Sequence, residues 1–217
     1  MYKLYGGTFT RALAPQMVLE EAGLPYELHV VDMENQEFRG EVFRKINPAG
    51  FVPALQTPEG DILHEAAAIM LYLTDRHGLE ELAPAPTDPQ RGVFLSKIFY
   101  FTNDIQPSFK RSGYASRYAL REEDAPALRE QSREIICERW QILEDWLAAN
   151  GPYHLGDRAS CADLHLAMWM AYGFDEPLDF SERFPASRRM FDLCLERSVS
   201  GPMLQGLMDI MVAHRAA

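Results

Sequence analysis

Glu65 stands directly before Ala66-Ala67-Ala68-Ile69, where a helix begins. The first N–H groups of a helix have no acceptor within it, and the positive end of its dipole points outward there, which makes an anion site. A carboxylate at Glu65 can accept a hydrogen bond from an amine beside that anion. Together they suit the carboxylate and ammonium of an α-amino acid group; the alternative is that Glu65 only caps the helix. A second string, Asn47-Pro48-Ala49-Gly50-Phe51-Val52-Pro53-Ala54-Leu55, opens a strand on a proline, which has no N–H to give to a ladder. A trans edge proline is the ordinary case, but a cis Val52–Pro53 bond would turn the N–H and C=O of Val52 outward to pair with a peptide-like ligand. In a third string, Gly6-Gly7-Thr8-Phe9-Thr10-Arg11-Ala12, a glycine-rich turn leads into a helix, with hydroxyls at Thr8 and Thr10 and a cation at Arg11. Hydrogen bonds, a helix N-terminus and a cation all lower the pKa of a thiol, so this is a place to stabilise a thiolate, unless Thr10 is simply an N-cap. The glycine pair is not a nucleotide-phosphate loop, because no Gly-Lys-Ser/Thr follows. A fourth string, Gly156-Asp157-Arg158-Ala159-Ser160-Cys161-Ala162-Asp163, carries Ser160-x-x-Asp163, a capping box with Asp in place of Glu, and reads as structural.

The elements that must hold these strings alternate at first. Tyr2–Tyr5 is a β-prone run ending on Gly6-Gly7. The apolar positions Leu13, Ala14, Met17, Val18 and Ala22 recur at helical spacing up to Gly23, and Tyr26–Val31 is a second strand. Asp32 to Lys45 is polar, a loop with an irregular helix. Val52–Gln56 and Asp61–Leu63 form a hairpin across Thr57-Pro58-Glu59-Gly60, and Glu65–His77 is a helix stopped by Gly78. After the Pro-rich segment 83–89 the pattern is helical throughout: about Pro89–Tyr114, Ala125–Ala149, Ser160–Tyr172, Phe184–Ser198 and Pro202–Ala213. The expectation is a small α/β domain over residues 1–80, a linker over 81–88 and an all-α domain over 89–217.

The chain has 217 residues and a net charge of −11, with no run of Lys and Arg, which argues against a general polyanion-binding role. Its longest uncharged apolar stretches are too short to cross a bilayer, and its first residues lack a signal-peptide pattern. Cys137, Cys161 and Cys194 are sparse and widely spaced, against a disulfide scaffold, and the six histidines show no zinc spacing. The expectation is a cytoplasmic protein with no metal, no nucleic-acid partner and no membrane partner.

These strings, in this order over nearly the whole chain, resemble the glutathione S-transferase family. The strand–turn–helix opening through Leu13-Ala14-Pro15 is most similar to bacterial beta-class members. The resemblance implies a thioredoxin-like N-terminal domain, an all-helical C-terminal domain, glutathione as co-substrate and a homodimer. It implies that Phe51, Val52 and cis-Pro53 hold the cysteinyl backbone of glutathione, and that Glu65 and Ala66 hold its γ-glutamyl end. Thr10, Arg11 or Thr8 would face the sulfur. Phe9, Phe101, Phe109, Arg111 and Tyr114 would meet a hydrophobic electrophile, although aromatics at helical spacing also read as core.

The chain departs from that pattern. Arg11 stands where beta-class members place a cysteine, and Gly6 where they place a tyrosine. No cysteine precedes Cys137, which excludes mixed-disulfide chemistry on an N-terminal cysteine. Ala66 replaces the serine that commonly follows the acidic residue, and with it goes a hydrogen bond worth roughly 1.5–3 kcal/mol to a charged group. The expected activity is conjugation of glutathione to a hydrophobic electrophile in detoxification. The alternatives are a non-catalytic interaction protein on the same scaffold, and a glutathione-dependent isomerase or peroxidase.

Overall fold

The computed structural model describes residues 1–7, 9–174 and 178–216. By packing it forms two compact units: Met1–Thr87 with the chain from Leu193 onward, and Asp88–Asp192. The division expected at 81–88 follows secondary structure. Packing divides the chain otherwise, because the last helix belongs with the N-terminal unit.

That unit runs β1 (Tyr2–Gly6), α1 (Leu13–Glu21), β2 (Tyr26–Val30), α2 (Glu41–Ile46), β3 (Ala54–Gln56), β4 (Ile62–His64) and α3 (Ala66–His77). The polar stretch after β2 resolves into a 3₁₀ turn at Glu37–Arg39 followed by α2. The sheet order is β2-β1-β3-β4, with β1 parallel to β2 and β3 antiparallel to both its neighbours. Leu4 pairs with Leu28 and with Leu55, while Tyr5 pairs with Ala54. Side chains alternate across a sheet, so these pairs lie on opposite faces. Tyr5 and Ala54 join Val31, Phe38, Phe43 and Val52 in one apolar cluster. Leu4 and Leu55 are wholly buried, as are Leu13, Met17 and Val18 of α1 and Ile69, Met70 and Leu73 of α3; α1 packs on α3. Each such side chain contributes about 1.5–3 kcal/mol by burial. The sheet with α1, α2 and α3 is the thioredoxin-like arrangement expected.

The last helix, α10 (Ser200–Ala216), packs on α1. An ion pair lies at the start of this segment: Arg197 donates through Nε and Nη2 to the two carboxylate oxygens of Glu21, at 2.8 and 2.7 Å. The Ser200 N–H and hydroxyl add bonds to Glu21 Oε1. Burial pushes the Glu21 carboxyl up, but these donors outweigh it and hold it below the usual range.

The second unit is helical: α4 (Arg91–Tyr100), α5 (Gln106–Gly113), α6 (Ala125–Asn150), α7 (Cys161–Ala171), α8 (Phe180–Arg183) and most of α9 (Pro185–Leu195), after which α10 spans Ser200–Ala216. The single helix expected over Pro89–Tyr114 is α4 and α5 joined by a π turn at Phe101–Ile105. Pro107 lacks an N–H at the start of α5, so the ladder cannot continue regularly there. Trp140 is the hub of the core, 4.5 Å from Phe180 between ring centroids, and its Nε1 donates to Ser187 Oγ at 3.1 Å. Glu144 accepts from the N–H groups of Ala186 and Ser187, capping α9 from another helix.

Every residue of α7 is buried. The Ser160–Asp163 capping box expected from the sequence is present, with the Asp163 Oδ2 accepting from the Ser160 N–H at 2.8 Å. Its other oxygen, Oδ1, accepts from both the N–H and Nδ1 of His154, at 2.9 and 2.7 Å. Burial pushes the Asp163 carboxyl up, yet the His154 imidazole and the bonds from His154 and Ser160 bring it below its ordinary value.

Among the described residues, no helix is long and apolar enough to cross a membrane, and no group of His, Cys, Asp or Glu is placed to hold a metal ion.

Candidate functional site

The sheet register gathers three of the four strings at one end. Ala54 pairs with His64 and with Tyr5, so Pro53 comes opposite Glu65 on one side and the glycine turn after β1 on the other. Strands lie about 4.8 Å apart, so the span from the Glu65 turn across β3 to the turn after β1 is about 10 Å, the length of an extended tripeptide. This is also the C-terminal end of the parallel strands, where open α/β sheets bind ligands.

The middle of that edge is Val52. The Val52–Pro53 bond is cis, and the Val52 side chain is buried in the apolar cluster. Among the described residues, neither its N–H nor its C=O has a hydrogen-bond partner. The loop before it is held by Asn47, whose Nδ2 donates to the Phe51 carbonyl at 2.6 Å and whose Oδ1 accepts from the Ala49 N–H at 3.1 Å. Gly50 adopts φ +64°, and a Cβ there would lie 2.9 Å from the Phe38 carbonyl oxygen. Asn47 and Gly50 thus shape the edge without facing a ligand. The signal for them was present in the sequence, since Asn-Pro-x-Gly is turn chemistry in which Asn bonds its own backbone.

On one side of Val52, Glu65 is exposed and carries φ +68°, a conformation that costs a non-glycine residue about 1–3 kcal/mol. It occupies the N-cap position of α3 but makes no side-chain cap bond. Its carboxylate is therefore held outward by a strained backbone beside the open first turn of the helix. Ala66 is buried and offers only its N–H.

On the other side lies the turn into α1. Gly6 must be glycine, because a Cβ there would lie 2.0 Å from that of Ala12; a tyrosine at this place would not fit. Thr10 is 9% exposed, its hydroxyl donates to the Gly7 carbonyl at 2.7 Å, and its Oγ1 accepts from the Ala12 N–H at 3.2 Å. Arg11 is half-buried, with its guanidinium carbon 5.7 Å from the centroid of the Phe51 ring. Phe9 and Phe51 are 42% and 39% exposed. Thr8 lies outside the described residues. Tyr5 belongs to the apolar cluster of the sheet, 6.2 Å from Phe43 between ring centroids.

The other residues expected at a substrate site belong to the helical unit. Phe101 and Phe109 are 3% and 9% exposed and pack on Trp140 and Trp169 in its aromatic core. Arg111 is half-buried and donates to Ser108 Oγ at 2.9 Å. Tyr114 is exposed, with the Arg117 guanidinium carbon 4.3 Å from its ring centroid.

The chain matches the family model for the glutathione S-transferase N-terminal domain over residues 12–76 and that for the C-terminal domain over residues 99–197. It is 28% identical to an uncharacterized GST-like protein, YncG, of Escherichia coli (strain K12), over 80% of this chain and 82% of that one. It is 30% identical to the glutathione S-transferase aclG of Aspergillus oryzae, over 72% of this chain and 70% of that one. A glutathione transferase homologue from Sulfitobacter, solved with bound glutathione, superposes with a TM-score of 0.85 at 26% identity, covering 95% of this chain and 97% of that one. Both halves of the architecture match, and the chain belongs to the glutathione S-transferase family.

Proposed function

We propose that this protein is a glutathione transferase that binds glutathione, favours its thiolate and conjugates it to an apolar electrophile. The observation that carries the reading is the convergence at one sheet edge of an unpaired Val52 backbone, an outward Glu65 carboxylate and the turn into α1. Val52 would pair with the cysteinyl residue as a short extra strand beside Pro53 and Phe51. Glu65 would accept from the γ-glutamyl ammonium, and the N–H groups opening at Ala66 would hold its carboxylate. The sulfur would then lie toward Thr10 and Arg11.

The protein contributes position and a lowered thiol pKa rather than a covalent nucleophile. The S–H bond breaks, its electron pair stays on sulfur and the proton passes to solvent. The thiolate then forms a C–S bond. A leaving group departs with its own pair, or the pair displaced from an activated alkene is protonated by water. Phe9 remains a candidate to meet the electrophile, whereas Phe101 and Phe109 support the helical unit from inside. A cytoplasmic homodimer acting in detoxification belongs to the same reading.

The second reading, a non-catalytic interaction protein, is favoured by Ala66 and by the engaged hydroxyl of Thr10. Retention on immobilised glutathione, followed by an ultraviolet difference titration of the bound thiol, separates the two. The transferase binds and shows thiolate at a lower pH than free glutathione does. Failure to bind, or binding with an unshifted thiol, supports the second reading. A glutathione-dependent isomerase or peroxidase would use the same thiolate and differ in substrate.

A further inference from the structure

Thr10 has one hydroxyl proton, and it goes to the Gly7 carbonyl; its oxygen in turn takes the Ala12 N–H. A hydroxyl engaged in this way has no proton to offer a sulfur. The next residue supplies a different kind of group. The Arg11 guanidinium lies over the ring of Phe51, within cation–π range at 5.7 Å. Phe51 is itself pinned, since Asn47 Nδ2 donates to its carbonyl and Val52, the next residue, is locked into the apolar cluster. Yet Phe51 is 39% exposed and stands outside the apolar cluster of the sheet. Its ring faces the guanidinium. The chain from Asn47 through Phe51 to Arg11 therefore sets a permanent positive charge beside the Val52 edge, along which the cysteinyl residue would dock.

We propose that Arg11 is the group that stabilises the thiolate of glutathione, and that Phe51 is a positioning residue that holds it there by the cation–π contact. The inference rests on the glutathione-binding reading above. The step it assists is the ionisation alone: the thiol proton leaves to solvent, the pair stays on sulfur, and the adjacent cation favours the charged form.

The test measures two quantities on the full chain: glutathione affinity by calorimetry, and the fraction of bound glutathione that is thiolate, by ultraviolet difference absorbance against pH. Arg11→Ala should cut the thiolate fraction at neutral pH about tenfold, the lower end expected for loss of a neighbouring opposite charge. Phe51→Leu, which keeps an apolar side chain but removes the ring, should cut it severalfold. Phe51→Tyr, which keeps the ring face, should hold it at the level of the unaltered protein, with glutathione affinity the same in all three. Circular dichroism confirms that each variant is folded. An unchanged thiolate fraction in Arg11→Ala, with glutathione still bound, overturns the assignment of Arg11. A loss in Arg11→Ala with none in Phe51→Leu overturns the positioning role. If the unaltered protein does not bind glutathione, the underlying reading has failed, which is visible before any variant is made and removes this proposal with it.

Discussion

Glu65 concentrates the chemistry of the glutathione-binding reading in one residue. Its backbone is in a left-handed conformation that only surrounding structure can maintain, and its side chain caps nothing. A residue held at that cost and left exposed is available to a ligand. Glu65→Ala should weaken glutathione binding by about 1.5–3 kcal/mol, the worth of a hydrogen bond to a charged group, or roughly tenfold to a hundredfold in calorimetry. Unchanged affinity would remove the γ-glutamyl assignment. Asn47 acts one step further back. Asn47→Ala deletes bonds to Phe51 and Ala49, and the donor it leaves without a partner lies in a loop whose outer residues are exposed. We expect a stability loss of about 1–3 kcal/mol by denaturant titration together with weaker glutathione binding, since the loop presents Val52. Lost stability with full affinity would show that the loop and the docking edge are independent.

At the scale of elements, the buried start of α7 is the most exacting. Asp163 serves two segments at once, the helix through Ser160 and the preceding loop through His154. Asp163→Asn replaces an acceptor by a donor that faces donors, and should cost about 3 kcal/mol in urea unfolding. The same carboxylate has a pH signature. Its pKa is lower in the folded protein than in the unfolded chain, so its contribution is complete above the ordinary carboxylate range. That contribution disappears as pH falls below about 4 and through the folded value. The acid limb of the stability profile should therefore flatten in Asp163→Asn. An identical acid limb in the variant would mean that Asp163 does not titrate with folding.

For the whole molecule, the packing units do not follow the order of the chain. The segment from Leu193 onward carries none of the candidate site residues, yet it belongs to the same compact unit as the sheet, tied to α1 through Glu21, Arg197 and Ser200. A chain ending at Asp192 should lose stability and, with it, glutathione binding, whereas Arg197→Leu should lose about 1.5–3 kcal/mol with binding retained in the folded fraction. Full stability of the shortened chain would contradict this packing. That dependence was not legible in the sequence. Periodicity, Gly and Pro positions are local, and they sufficed for the strand and helix order from β1 to α3, the hairpin after Val52, the stop at Gly78 and the capping box at Ser160, because each of those rests on residues within a few positions of one another. The strings at Gly6, Val52 and Glu65 could likewise be read as chemistry from their residue types. Two matters were decided only by tertiary structure. The register of β1, β3 and β4 brought those strings to one edge, and separate segments met when Arg11 came over the Phe51 ring and His154 reached Asp163. Phe101 and Phe109 show the same limit, since one helical spacing serves a core and a pocket equally, and only the neighbouring Trp140 and Trp169 reveal which face of the helix is inside. Contacts between residues far apart in the chain depend on how whole elements pack, and no local pattern encodes that by itself.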